Sequence, residues 1–148
     1  IGLAGWIVGG LAAVVDSTIA VNVFFHNTLW VPAHFHTYFL AGFVFIVFGF
    51  VYRLLDAGSE KAARISLGTM IVGSYGFLLM FYLGGFESVP RRYANYDSIG
   101  IPSVIEYGQS SAGIAVMCIA IFVVGLLLYY ATVFKSLGAW AAKLRVGQ

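Results

Sequence analysis

The sequence predicts an all-α membrane protein with four transmembrane helices. Of its 148 residues, 61% are hydrophobic and only 9% are charged, and the mean hydropathy is +0.93. Soluble domains contain roughly 25% charged residues, so the composition excludes that class. Four apolar stretches, at about 1–25, 31–55, 65–86 and 108–134, each reach the roughly 20 residues needed to cross a bilayer. The net charge of +2 is too small to favour nucleic acid as a partner.

The first span, about 1–25, contains a single formal charge, Asp16. An aspartate near the middle of a span faces protein or a water-filled path more often than lipid. Ser17 and Thr18 beside it could extend a hydrogen-bonded chain, so a proton path is one interpretation. A neutral, hydrogen-bonded structural aspartate is the other. Since the chain begins at Ile1 inside a hydrophobic run, without the charged region of a signal peptide, we expect a piece of a longer protein or an incomplete chain.

The second span opens with a concentration of histidine. All three histidines of the chain, His26, His34 and His36, lie at or near its start. In a helix, residues two apart differ by roughly 200° in direction and about 3 Å along the axis. His34 and His36 therefore point to nearly opposite faces, where they could serve two different centres. Two haems flanking one helix are the simplest such arrangement. The alternative is a pair of histidines that are hydrogen-bonded to neighbouring helices.

The third and fourth spans carry no charge, and the longest polar connection, from about Glu87 to Tyr107, separates them. Arg91 and Arg92 in this connection have the planar side chain suited to bidentate carboxylate binding, although two arginines at a membrane surface could also face lipid headgroups. The connection also contains Tyr93, Tyr96 and Asp97. A single cysteine, Cys118, excludes an intrachain disulfide and is interpreted as a packed thiol.

The distribution of lysine and arginine predicts the orientation. With four spans, the second connection and the C-terminal tail share one side, which holds Arg53, Lys61, Arg64, Lys135, Lys143 and Arg145. The opposite side holds only Arg91 and Arg92. The positive-inside rule makes the first side cytoplasmic, so the start of the second span and the arginine pair lie toward the outside.

Two motifs carry a family resemblance. The stretch from His26 to Pro32, His-Asn-Thr-Leu-Trp-Val-Pro, together with His34-Phe35-His36, resembles the tenth transmembrane helix of subunit I of the haem-copper oxidases. Pro90-Arg91-Arg92-Tyr93 resembles the Pro-Arg-Arg loop of that family. The four spans are similar in order and spacing to the last four core helices of its twelve-helix bundle. The first motif resembles the prokaryotic B-type branch most, whereas the related nitric-oxide reductases usually have glycine where this chain has Phe35.

The resemblance implies a role for several residues. His34 is expected to be the proximal ligand of a high-spin haem and His36 one ligand of a low-spin haem, with Phe35 on the electron path between them. His26, Asn27, Arg91 and Arg92 are expected in the haem propionate region. Two departures from the family pattern limit the inference: Asn22 stands where the family commonly has aspartate, and Asn27 argues against a strong magnesium site.

The function that the resemblance implies is reduction of O2 to water by a respiratory terminal oxidase, coupled to proton translocation. Three histidines cannot supply both these haem ligands and a copper site, so the copper ligands are expected outside this chain. The implied partners are the remainder of subunit I, subunit II and other oxidase subunits, and cytochrome c, a copper protein or quinol as electron donor. The expected location is the plasma membrane of a prokaryote. The alternatives are a nitric-oxide reductase-like enzyme with non-haem iron, and a non-enzymatic transporter or assembly subunit.

Overall fold

A computed structural model describes residues 1–55, 60–92 and 100–146, with the backbone alone for Glu60 and residues 143–146. Every regular element in these ranges is a helix. They are α1 (Gly2–Ser17), α2 (Ile19–Phe25), α3 (Trp30–His36), a π-helical segment (Thr37–Phe43), α4 (Val44–Leu54), α5 (Glu60–Phe86) and α6 (Pro102–Val146). The prediction of an all-α membrane protein is confirmed. Tyr93, Tyr96 and Asp97 of the longest polar connection lie outside the described residues.

Within the described residues, three continuous helical stretches are long and apolar enough to cross a membrane: Trp30–Leu54, Lys61–Phe86 and Pro102–Ala142. A fourth span exists if α1 and α2, which meet at an angle of 98°, count as one. The stretch at about 1–25, which the sequence predicts as one span, therefore consists of two helices joined at a sharp bend. The break lies at Thr18, whose backbone is extended (φ −79°, ψ 110°).

Local side-chain chemistry accounts for this break. Ser17 Oγ donates a hydrogen bond to the Val14 carbonyl at 2.9 Å, and Thr18 Oγ1 donates to the same carbonyl at 2.8 Å. Hydroxyl groups that bond nearby carbonyls compete with the helical ladder and often bend or end a helix. The hydroxyl groups of Ser17 and Thr18, next to Asp16, thus favour the end of α1.

The last helix is longer than the hydropathy pattern indicates. It begins at Pro102, where the missing N–H of proline costs no helical hydrogen bond. Its 45 residues extend about 68 Å at roughly 1.5 Å per residue, about twice the thickness of the hydrocarbon core. The predicted limits, about 108 and 134, mark the apolar part of α6 and not its ends.

The central span, α3 to α4, packs against α1 and α5, and α5 pairs with α6. Close approach of α1 to the π-helical segment depends on Gly5, because a Cβ there would lie 2.3 Å from the Ala41 carbonyl oxygen. A hydrophobic core joins the central span to α5 and α6; it consists of Leu40, Phe45, Met70, Phe122, Tyr129 and Val133. This packing places the start of α3 against the last turns of α5.

Candidate functional site

The imidazole of His36 is oriented by its own helix. Its Nδ1 lies 2.6 Å from the Pro32 carbonyl oxygen. Because a carbonyl only accepts, Nδ1 carries the proton, and Nε2 of the neutral ring keeps a free lone pair. Metal-binding histidines commonly have this arrangement, in which the second ring nitrogen donates to a backbone carbonyl. The rings of Phe77 and Phe81 on α5 stand edge-on to His36, with centroids 5.9 and 6.3 Å away. The orientation of the His36 ring and its free Nε2 therefore suit the role of an axial ligand of haem iron.

His34 faces a different helix. Its Nε2 lies 3.9 Å from Oδ2 of Asp16 at the end of α1, and its ring is 5.8 Å from that of Tyr38. Nδ1 of His34 and Oδ1 of Asp16 are both buried and lack a hydrogen-bond partner among the described residues. The two histidines thus contact opposite neighbours of the central span. A ligand role through Nε2 of His34 requires the imidazole or the carboxylate to move.

The connection between α2 and α3 meets the connection that follows α5 at the start of α3. Thr28 and Pro90 form an isolated antiparallel bridge. The Arg91 backbone N–H donates to the Asn27 carbonyl at 2.7 Å, and Arg91 Nη2 donates to Asn27 Oδ1 at 3.2 Å. Asn27 and Arg92 have positive φ angles of 66° and 67°. Such backbone strain in residues other than glycine is concentrated at functional sites. These contacts fix the arginine pair next to the helix that carries both histidines.

A cavity of about 540 Å³ joins these groups, and its lining includes His34, Phe35, His36, Arg91 and Arg92. Its volume lies within the roughly 300–1,000 Å³ that is typical of ligand and cofactor sites. Nε of Arg91 is buried without a partner in the described part of the chain. A buried guanidinium donor without an acceptor fits an anionic group such as a propionate carboxylate. Arg92 is exposed at the rim.

Of the remaining predicted site residues, Phe35 lines the cavity, whereas His26 and Asn27 are not among its lining residues. His26 and Asn27 are both exposed in the connection between α2 and α3, and Phe35 is 61% exposed. Phe35 also stands edge-on to His36, with ring centroids 5.6 Å apart. Asn22 is half-buried on α2.

Three further residues support the site: Trp30, which belongs to the quoted motif but was given no role, and Thr37 and Tyr82, which the sequence pattern does not single out. Trp30 is buried, stacks on Phe25 at 4.4 Å and leaves its Nε1 without a partner in the described structure. Thr37 and Tyr82 form a hydrogen bond between the central span and α5. Their only sequence signal is polarity inside apolar spans, which does not identify a partner.

Comparison with known proteins identifies the family of the chain. Residues 1–127 match the family described as cytochrome c and quinol oxidase polypeptide I. The chain is similar to cytochrome c oxidase subunit 1 of Thermostichus vulcanus (32% identity over 100 residues, 62% of this chain and 18% of the relative). It is also similar to that subunit of Thermus thermophilus (31% over 100 residues, 62% and 18%) and of Cereibacter sphaeroides (32% over 94 residues, 60% and 17%).

A similar solved structure is the cryo-EM structure of a heme-copper terminal oxidase dimer. The TM-score is 0.70 at 26% identity, and the match covers 91% of this chain and 25% of that one. The chain spans less than a fifth of the length of these curated relatives. Since the family match extends over residues 1–127 of the 148, the chain belongs to the cytochrome c and quinol oxidase polypeptide I family, the subunit I family of the haem-copper oxidases.

Proposed function

We propose that the chain supplies the haem-ligating region of subunit I in a respiratory terminal oxidase that reduces O2 to water and translocates protons. The observation that carries the proposal is the cavity of about 540 Å³ at the start of the central span. It combines two imidazoles on one helix with two guanidinium groups from a neighbouring connection. Imidazoles are common axial ligands of haem iron, and arginine pairs well with propionate carboxylates.

His36 is proposed as an axial ligand of the low-spin haem. Its hydrogen bond to the Pro32 carbonyl, at 2.6 Å, supports this role because it presents Nε2 for coordination and restrains the ring. Phe35, whose ring is next to that of His36, is proposed to lie on the electron path between the two haem environments.

His34 is proposed as the proximal ligand of the high-spin haem. Asp16 accompanies it, with 3.9 Å between the carboxylate and the imidazole. A carboxylate inside a membrane span is costly unless it has a function or a partner. We assign Asp16 to the surroundings of this haem, where it either takes part in a proton path or sets the electrostatic environment of His34.

Arg91 and Arg92 are proposed to bind haem propionates, with His26 and Asn27 in the same region. The unpartnered Nε of Arg91 supports this assignment. The hydrogen bonds from Arg91 to Asn27 hold the guanidinium group in place. By the positive-inside rule, this end of the bundle faces outward and the C-terminus is cytoplasmic.

When bound, the low-spin haem supplies electron transfer, and the high-spin haem with copper supplies oxygen chemistry. The copper ligands and the second axial ligand of the low-spin haem are proposed to come from the remainder of subunit I. Subunit II and other oxidase subunits complete the complex, and cytochrome c, a copper protein or quinol supplies electrons. The proposed location is a prokaryotic plasma membrane.

The proposal is tested on the purified complex that contains this chain. We expect a reduced-minus-oxidised spectrum with two haems, one of which binds carbon monoxide, together with copper and cyanide-sensitive oxygen consumption. A preparation without a Soret band would overturn the haem assignment. Non-haem iron in place of copper, with nitric-oxide consumption, would identify the nitric-oxide reductase alternative.

A further inference from the structure

The turn that carries the histidines is connected to α5 by a chain of hydrogen bonds. Thr37, which is 1% exposed, has its hydroxyl 2.8 Å from the Ala33 carbonyl and 2.9 Å from the hydroxyl of Tyr82 on α5. A threonine hydroxyl has one proton, and the Ala33 carbonyl can only accept it. Tyr82 must therefore donate to Thr37, which in turn donates to Ala33.

The position of these hydrogen bonds matters because Ala33 lies between Pro32, whose carbonyl orients His36, and His34. The Thr37 backbone N–H is shared between the carbonyls of Ala33 and His34, and the π-helical segment begins at Thr37. A change from α to π hydrogen bonding alters the rotation of the helix, and π segments occur frequently at functional sites.

Packing on the same side of α3 supports this connection. Tyr82 stands edge-on to Trp30, with ring centroids 4.8 Å apart. The first turn of α3 also lies directly on the backbone of Gly85, where a Cβ would be 2.6 Å from the Trp30 nitrogen. The last turns of α5 thus hold α3 by contact at Trp30 and by a hydrogen bond at Thr37.

We propose that Thr37 and Tyr82 are positioning residues that fix the rotation of the ligand-bearing turn and so the direction of the His36 imidazole toward haem iron. The inference rests on the proposed ligand role of His36. Neither residue touches the iron; both act through the backbone of residues 33–36. The expected consequence of their loss is a change in the ligand field of the low-spin haem.

The test uses the oxidase complex in membranes and measures the electron paramagnetic resonance g-values and the α-band position of the low-spin haem. We expect Thr37→Val and Tyr82→Phe each to shift both signals. Thr37→Val shifts them more, because it leaves the buried Tyr82 hydroxyl without an acceptor. The double variant shifts them no further than Thr37→Val, and Thr37→Ser, which keeps the hydroxyl, matches the wild type.

Two control variants carry the same substitutions at other positions of α5. Thr69→Val removes a hydroxyl that bonds the Ile65 carbonyl of its own helix at 2.8 Å. Tyr75→Phe removes a hydroxyl two turns before Tyr82 on α5. Both controls should leave the spectrum unchanged.

Wild-type signals in both Thr37→Val and Tyr82→Phe would overturn the inference while leaving the haem assignment intact. If Thr37→Val does not accumulate, the comparison of Tyr82→Phe with Tyr75→Phe decides. Absence of a low-spin haem in the wild-type complex would instead refute the proposed function.

Discussion

The contact between α5 and α3 leads to a quantitative prediction for Gly85→Ala. The added Cβ would lie 2.6 Å from the Trp30 nitrogen, 2.7 Å from its Cβ and 2.8 Å from its Cα. Ordinary carbon contacts are about 3.5–4.0 Å, so the backbone at the start of α3 must move by about 1 Å. Overpacking of this kind costs about 1–3 kcal/mol. A displacement of about 1 Å in an element that positions reacting groups can reduce the rate on the order of 10²-fold.

The assay is oxygen consumption and haem content in membranes with matched levels of the subunit. We expect Gly85→Ala to reduce consumption by about 10²-fold and to shift or remove the haem bands. Gly68→Ala is the control on the same helix, because a Cβ there meets nothing within 4 Å in the described part of the chain. Gly84→Ala should have an intermediate effect, since the atom nearest to its Cβ would be the flexible end of Leu29, Cδ1, at 2.8 Å. Equal spectra and rates for Gly85→Ala and Gly68→Ala would refute the reasoning.

Two further predictions concern charge. Arg91→Gln should lower the midpoint potential of a haem in redox titration, because removal of a nearby cation favours the ferric state. A loss of about 1.4 kcal/mol of electrostatic stabilisation corresponds to about 60 mV for one electron. The same substitution at Arg92, which is exposed, should give a smaller shift. Unchanged potentials in both variants would exclude propionate contact. Asp16→Asn should change the carbon-monoxide difference spectrum while the low-spin band stays the same, because Asp16 faces His34 and not His36; an unaltered difference spectrum would contradict this assignment.

The sequence was sufficient to predict the helical fold and the separation of His34 from His36. Apolar length determines membrane spans, and helical geometry determines the relative direction of residues two apart. Both rules are local. Apolar length also explains why the predicted limits of α6 were too narrow: charged residues end a membrane span, but they do not end a helix.

The rest of the site depends on contacts between distant residues. The break at Thr18 had a sequence signal in the hydroxyl groups of Ser17 and Thr18, but such groups also occur within continuous helices, as Thr69 does in α5. The π-helical segment lies against α1 at Gly5, and no local sequence pattern specifies that contact. The 3.9 Å approach of Asp16 to His34 also arises only when α1 packs on the central span.

The central claim, that His34 and His36 ligate two different haem irons, is tested most directly by optical spectra of the two alanine variants. Reduced-minus-oxidised and carbon-monoxide difference spectra are recorded on membranes with matched subunit levels. His36→Ala should remove or distort the low-spin signal. His34→Ala should abolish the carbon-monoxide difference spectrum while a low-spin signal remains. Loss of the same haem in both variants, or a normal two-haem spectrum in either, would contradict the claim.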